Sequence, residues 1–238
     1  QRLFLPRIIQ KSNLIITNSQ NTRKDVVEHY PVAIDKTEFI YPAINPIFKP
    51  VKSRQYLDKI GLNVPYFLSV GTIEPRKNYP AVLSAFELFK SNNKKSQHKL
   101  IIVGWYGWHY NSFLKRVQNS PYKDFIQLIH NVHTDDLPEF YSHATAFIYA
   151  SKYEGYGFPL IEAYNCGAYC IAAKNSSLKE IGASFAHYFH IDNSIELSSL
   201  MEKAVIQKEE NIEKSTARIY NPDFALKFHK LVKQTLLG

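Results

Sequence analysis

The stretch ATAFIYASKYEGYGFPLIEAYNCG, residues 144–167, decides how the chain folds. Its apolar run over 145–149 suits a strand buried on both faces and is far too short to cross a membrane. A glycine-punctuated loop follows, residues 151–157. Pro159 then fits the first turn of a helix and Gly167 its C-terminal stop, which predicts a helix over 158–166. A wholly apolar strand that passes through such a loop into a helix belongs to a parallel sheet covered by helices.

The same rhythm extends in both directions. Strands are expected at 66–70, 100–103, 125–129 and 169–172, with helices near 80–90, 111–118, 195–207 and 223–236. The predicted class is α/β, a Rossmann-like parallel sheet with helices on both faces. Crossovers in such sheets are right-handed and ligands sit at the carboxyl ends of the strands, so the functional loops should follow Val70, Val103, Ile129 and Ala150. Upstream, residues 14–17 read as a short strand, Ser19 as a helix cap, and the polar segment to Tyr30 as a helix stopped by Pro31. A second strand at 38–41 runs into Pro42, Pro46 and Pro50, which break regular structure and mark a linker. The expected division is 1–45, 46–220 and a C-terminal helix over 221–238.

Composition narrows the class of partner. Hydrophobic residues make up 45% and charged residues 21%, ordinary usage for a folded globular chain. The first residues lack the order of a signal peptide. A net charge of +8 favours anionic partners but does not choose among phosphorylated small molecules, nucleic acid and an acidic membrane face. Because the basic residues are dispersed and no nucleic-acid-binding module is recognisable, no nucleic-acid partner is expected. Cys166 and Cys170 lack the second ligand pair of a structural zinc site and read as reduced, structural thiols.

Three loops carry candidate chemistry. After the first strand of the main domain comes Gly71-Thr72-Ile73-Glu74-Pro75-Arg76-Lys77-Asn78, where a glycine turn is followed by a forked donor and a point charge, a combination suited to a diphosphate. Surface charge of this kind is more often merely solvated; position at a strand's carboxyl end favours a site. Gly104-Trp105-Tyr106-Gly107-Trp108, after the next strand, reads equally well as a wall beside a ligand or as a packed loop. His130 and His133 lack partners at metal-ligand spacing, so no metal is expected. In the loop before the 158–166 helix, Gly155 and Gly157 leave backbone N–H groups open to phosphate or sugar oxygens. Glu154 and Glu162, eight residues apart across loop and helix, can reach different parts of one extended ligand, and carboxylates accept from neighbouring hydroxyls.

At these residues the chain resembles glycosyltransferase family 4, retaining enzymes of the GT-B class. VGTIEPRKN (residues 70–78), IIVG (101–104) and EGYGFPLIEAYNCG (154–167) match that family's motifs in order, and SSLKEIG (176–182) is similar to the segment after its next strand. The resemblance runs from about residue 13 to the C-terminus. It implies two Rossmann-like domains with the donor held mainly by the C-terminal one. Arg76 and Lys77 would contact the donor diphosphate, Glu154 the transferred sugar and Glu162 the ribose. Val132 would lie near the base, with Gly71, Thr72, Gly155, Tyr156, Gly157, Phe158, Pro159 and Leu160 completing the substrate site. The resemblance also implies catalysis without a bound metal or other cofactor, the basic pair neutralising the leaving diphosphate.

TIEPRKN is similar to bacterial mannosyltransferases that build surface polysaccharides, which points to a hexose from a GDP- or UDP-linked donor, GDP-mannose foremost, and to a glycan or lipid-linked acceptor. The implied location is cytoplasmic, in peripheral contact with the inner membrane face. Against the family pattern, residues 1–45 correspond only to the last βα unit of an N-terminal acceptor domain. The expectation is therefore a fragment, or a subunit completed by a complementary N-terminal-domain chain, which alone binds nucleotide better than it transfers sugar. A non-catalytic nucleotide-sugar-binding subunit and a GT-B sugar-nucleotide epimerase stay open beside it. A dehydrogenase is disfavoured because no G-x-G-x-x-G follows the first strand of either βα region.

Overall fold

Six parallel strands form the central sheet in the order β5-β4-β3-β6-β7-β8. In chain order they are β3 (Tyr66–Val70), β4 (Lys99–Val103), β5 (Ile126–Ile129), β6 (Ala146–Tyr149), β7 (Cys170–Ala173) and β8 (Ala186–Phe189). The computed structural model describes residues 4–209 and 223–237. The chain steps outward from β3 to β5, then returns past β3 to build β6, β7 and β8. Strand order thus reverses between β3 and β6, the position where sheets of this kind place ligands, beyond the carboxyl ends of the strands.

Right-handed crossovers in opposite directions put helices on opposite faces. The helix α4 (Tyr79–Asn92) packs against α5 (Asn111–Gln118) and α9 (Ser194–Glu209), while α6 (Leu137–His143) packs against α7 (Phe158–Asn165). Apolar side chains fill both spaces: Phe67 of β3 meets Phe89 of α4 edge-on at 4.9 Å, and Tyr141 of α6 meets Phe147 of β6 at 5.3 Å. The strands expected near 66–70, 100–103, 125–129, 145–149 and 169–172 are all present within a residue of those bounds.

The edge strand β8 and the short helices α3 (Gln55–Lys59) and α8 (Ser176–Ile181) were not anticipated. Of the four β8 residues only Phe189 is buried, so the strand has no apolar run to announce it. Before the sheet lie α1 (Leu5–Lys11) and a β1-α2-β2 unit, with β1 (Ile15–Thr17) and β2 (Thr37–Phe39) paired in parallel around α2 (Gln20–His29). The second strand ends before the expected 41, and Leu14 precedes the first. A final helix, α10 (Phe224–Leu237), matches the C-terminal helix; its expected boundary at residue 221 lies outside the described residues. Both cysteines are buried and unbridged, and burial pushes the Cys166 thiol up to about 12, so it packs as an inert thiol.

Candidate functional site

The loops after β3 and β6 meet at the reversal point. Pro75–Lys77 form a single 3-10 turn, Asn78 takes a left-handed φ of 56°, and α4 starts at once, so Arg76 and Lys77 are fixed at the strand's end. Gly71 is needed here twice. Its φ of +141° suits glycine alone, and a side chain would sit 3.1 Å from Lys77 Cε. Gly104 admits no side chain either, since its Cβ would fall 2.0 Å from the Gly71 carbonyl oxygen.

Lys77 Nζ lies 2.7 Å from Glu154 Oε1 and donates to the Tyr149 hydroxyl at 2.9 Å. Arg76 Nη1 lies 2.7 Å from the other Glu154 oxygen, and Arg76 Nη2 lies 2.7 Å from Glu74 Oε1. The expected catalytic trio is therefore one cluster, but its charges face each other. With Glu74 included, the formal charges of the four side chains cancel. An anion that bound there would have to take Arg76 and Lys77 from carboxylates rather than meet a waiting positive pair. Burial would raise the Glu154 carboxyl, but Lys77 and Arg76 hold it below the ordinary range, so it is ionised at neutral pH. Arg76 is the accessible member, with its side chain 40% exposed against 10% for Lys77.

The backbone of the same loop is held from β7's side. Glu154 N–H donates to Ser176 Oγ at 3.1 Å, and Ser177 Oγ lies 2.8 and 3.0 Å from the carbonyl oxygens of Glu154 and Tyr156. Gly157, with a φ of +103°, caps α7 directly after this loop. One turn into α7, Glu162 accepts from the Tyr141 hydroxyl at 3.0 Å. Burial raises its carboxyl to about 7, the tyrosine bond only partly opposing. The two glutamates of the motif thus differ in charge state at neutral pH, one ionised and one near half-protonated.

Other expected positions separate into two groups. Thr72 and Phe158 are exposed at the strand-end edge, and Val132 is half-buried against the core in the loop after β5. Tyr156 and Leu160 turn inward instead. Leu160 is wholly buried and its N–H is spent on the Gly157 carbonyl at 3.0 Å, so it packs the helix and offers a ligand nothing. Tyr156 is buried, with its ring 5.0 Å from Phe158 and 6.1 Å from Tyr41, and only its backbone can face a ligand.

In the tryptophan loop, backbone bonds between Ile73 and both Trp105 and Gly107 fix a packed turn. Trp105 and Trp108 nevertheless stay 57% and 58% exposed. His130 Nδ1 bonds the Gly104 carbonyl, which gives it a structural task, and His133 pairs with Asp135. Sequence reasoning gave no role to Glu74, Tyr149 and Tyr141. Glu74 stood inside the quoted motif, but the two tyrosines join the site only through the fold.

The chain matches the description "Glycosyl transferases group 1" over residues 56–221, most of its length. It belongs to that family. The matched span runs from α3 through the β3 and β6 loops and β8, so the Arg76, Lys77 and Glu154 cluster is inside the group 1 region. Among relatives, O-antigen chain mannosyltransferase B of Escherichia coli is 29% identical over 177 residues, 73% of this chain and 46% of that protein. The chain thus aligns with about half the length of that group 1 relative.

Solved structures agree on the fold. Sucrose-phosphate synthase from Thermosynechococcus elongatus superposes with a TM-score of 0.81 at 19% identity, covering 98% of this chain and 61% of that one. Anabaena HepE in complex with UDP and glucose gives 0.79 at 15% identity, covering 99% and 66%. These structural neighbours are GT-B glycosyltransferases.

Proposed function

We propose that this chain is the nucleotide-sugar-binding half of a retaining hexosyltransferase. The observation that carries the reading is the Arg76, Lys77 and Glu154 cluster at the strand-order reversal, where doubly wound sheets hold their ligands. In this account the donor's diphosphate takes over Arg76 and Lys77, releasing Glu154 to accept from hydroxyls of the transferred sugar. The backbone of Gly155, Gly157 and Phe158 faces sugar or phosphate oxygens. Glu162 takes the ribose hydroxyls and Val132 lies by the base. As the glycosidic bond breaks, charge grows on the leaving diphosphate, and the two cations stabilise it without a resident metal. The leaving phosphate helps deprotonate the attacking hydroxyl on the same face, and Glu154 orients the sugar rather than attacking it.

The relatives named as mannosyltransferases support mannose as the transferred sugar, with GDP-mannose as the donor in this reading. The acceptor in this reading is a glycan or a lipid-linked glycan, bound by an N-terminal domain in the same protein or in a partner chain at the inner face of the membrane. No helix among the described residues is long and apolar enough to cross that membrane. Product analysis after incubation with GDP-mannose, the acceptor and the complementary half tests the proposal. Mannose linked to the acceptor is expected. An altered free sugar nucleotide would show an epimerase, and donor binding with no product would show a non-catalytic subunit.

The state of Glu162 gives a pH signature. Two ribose hydroxyls are best met by a carboxylate, whereas the unliganded group is half-protonated near pH 7. Binding should therefore release a proton, and nucleotide affinity should rise from pH 6 to 8, by at most about tenfold per unit below the pKa. Calorimetry in buffers of different ionisation enthalpy reads the proton directly, and Glu162→Gln should flatten the pH profile. For stability the sign is opposite. The folded chain keeps a proton that the unfolded chain loses near pH 4.5, so this group's contribution falls as pH rises from about 4.5 to 7.

A further inference from the structure

The loop that carries Glu154 is tied to a helix outside its own sheet. The Gly155 carbonyl accepts from Ser19 Oγ at 2.7 Å and from Thr22 Oγ1 at 3.0 Å, both at the start of α2. On the other side of Glu154, the Tyr153 hydroxyl donates to Asp25 Oδ2 at 2.6 Å, one turn further along the same helix. Helix α2 is in turn fixed to α8. The Glu180 carboxylate accepts from Gln20 N–H and Asn21 N–H at 2.9 Å each and from the Tyr41 hydroxyl at 2.7 Å. An acid on the first N–H groups of a helix is favoured by both hydrogen bonding and the helix dipole. The approach is close at Gly155, where a Cβ would lie 3.3 Å from the Asn18 amide.

We propose that Ser19, Thr22 and Asp25 are positioning residues for Glu154, so that the β1-α2-β2 unit is a working part of the donor-sugar site. Glu154 has an unusual demand placed on it. It must let go of Arg76 and Lys77 when the diphosphate arrives and yet stay where the sugar needs it. Once its carboxylate is released, its backbone is what keeps it in place. Ser176 and Ser177 hold that backbone from α8, and α2 holds the residues on either side. Without α2 the released carboxylate would have to be ordered at the expense of sugar affinity. The inference rests on the reading of Glu154 as the group that holds the transferred sugar.

The bland alternative is that these bonds only join two units, in which case their loss would affect nucleotide and sugar nucleotide alike. The test is calorimetric titration of the full chain with GDP and GDP-mannose, and in parallel with UDP and UDP-glucose. The variant Thr22→Val with Tyr153→Phe removes a donor on each side of Glu154 while Ser19 still caps α2 at Thr22 N–H. Sugar-nucleotide affinity is expected to fall about tenfold, the loss of one to two hydrogen bonds, with nucleoside diphosphate affinity changed less than about twofold. Tyr153→Phe alone alters a ring that is 45% exposed, leaves the fold undisturbed, and should shift the same ratio by about threefold. Equal changes for both ligands, or no change in either, would overturn the positioning role while leaving the donor site intact. Failure of the unaltered chain to bind any of the four would overturn the donor-site reading itself.

Discussion

Replacing Lys77 with methionine is expected to weaken nucleoside diphosphate binding by about a hundredfold and to lower folding stability by about 2–3 kcal/mol. Methionine keeps most of the stem's volume beneath Gly71, so packing changes little and charge is what is lost. The lysine side chain is 10% exposed and its partner Glu154 is 11% exposed, so the surviving carboxylate is left in a largely dry place. Breaking a buried pair costs about 3–5 kcal/mol when nothing else compensates, and Arg76, still on the other Glu154 oxygen at 2.7 Å, brings the loss below that range. Chemical denaturation reads the stability and titration with GDP reads the affinity. A Lys77→Met chain that bound GDP as the parent does would remove the lysine from the site.

Glu154→Gln should move the two ligands in opposite directions. In the unliganded chain Glu154 competes with any incoming diphosphate for Arg76 and Lys77. The amide has the same shape and no charge, so Lys77 is freed and Arg76 keeps only Glu74, and affinity for GDP should rise by about tenfold. The sugar loses its charged hydroxyl acceptor at the same time, so hexose transfer should fall by about a hundredfold or more. The variant should also be less stable than the parent without ligand, because Lys77 then lacks a counter-ion, and should regain that stability in the presence of GDP. Unchanged transfer would remove Glu154 from its assigned task. GDP affinity that fell would show that the carboxylate does not compete for the cations.

The parallel sheet was legible because its central strands are continuously apolar: Phe67, Leu68, Phe147 and Ile148 face packed layers on both sides and leave no polar alternation. The edge strand β8 escaped because Ala186, His187 and Tyr188 are partly exposed, and a half-wet strand of four residues has no period to detect. The cluster's members were legible one by one from glycines and charges at strand ends. Their pairing was not. Glu154 lies 77 residues from Lys77, and only the adjacency of β3 and β6 puts the carboxylate on the cations. The tyrosines were illegible for the same reason, since Tyr149 and Tyr141 look like ordinary core aromatics until the fold places their hydroxyls on Lys77 and Glu162. Leu160 is a motif residue whose side chain the fold turns wholly inward.

In the proposed reading, the reversal between β3 and β6 is a nucleotide-sugar site whose cations are held in reserve by carboxylates. Calorimetric titration of the unaltered chain with GDP, UDP, ADP and their sugar esters tests it most directly. One-to-one binding by at least one nucleoside diphosphate, GDP foremost, is expected, in the roughly micromolar-to-millimolar range usual for enzyme substrates. Heat from none of the three nucleotides or their sugar esters would contradict it.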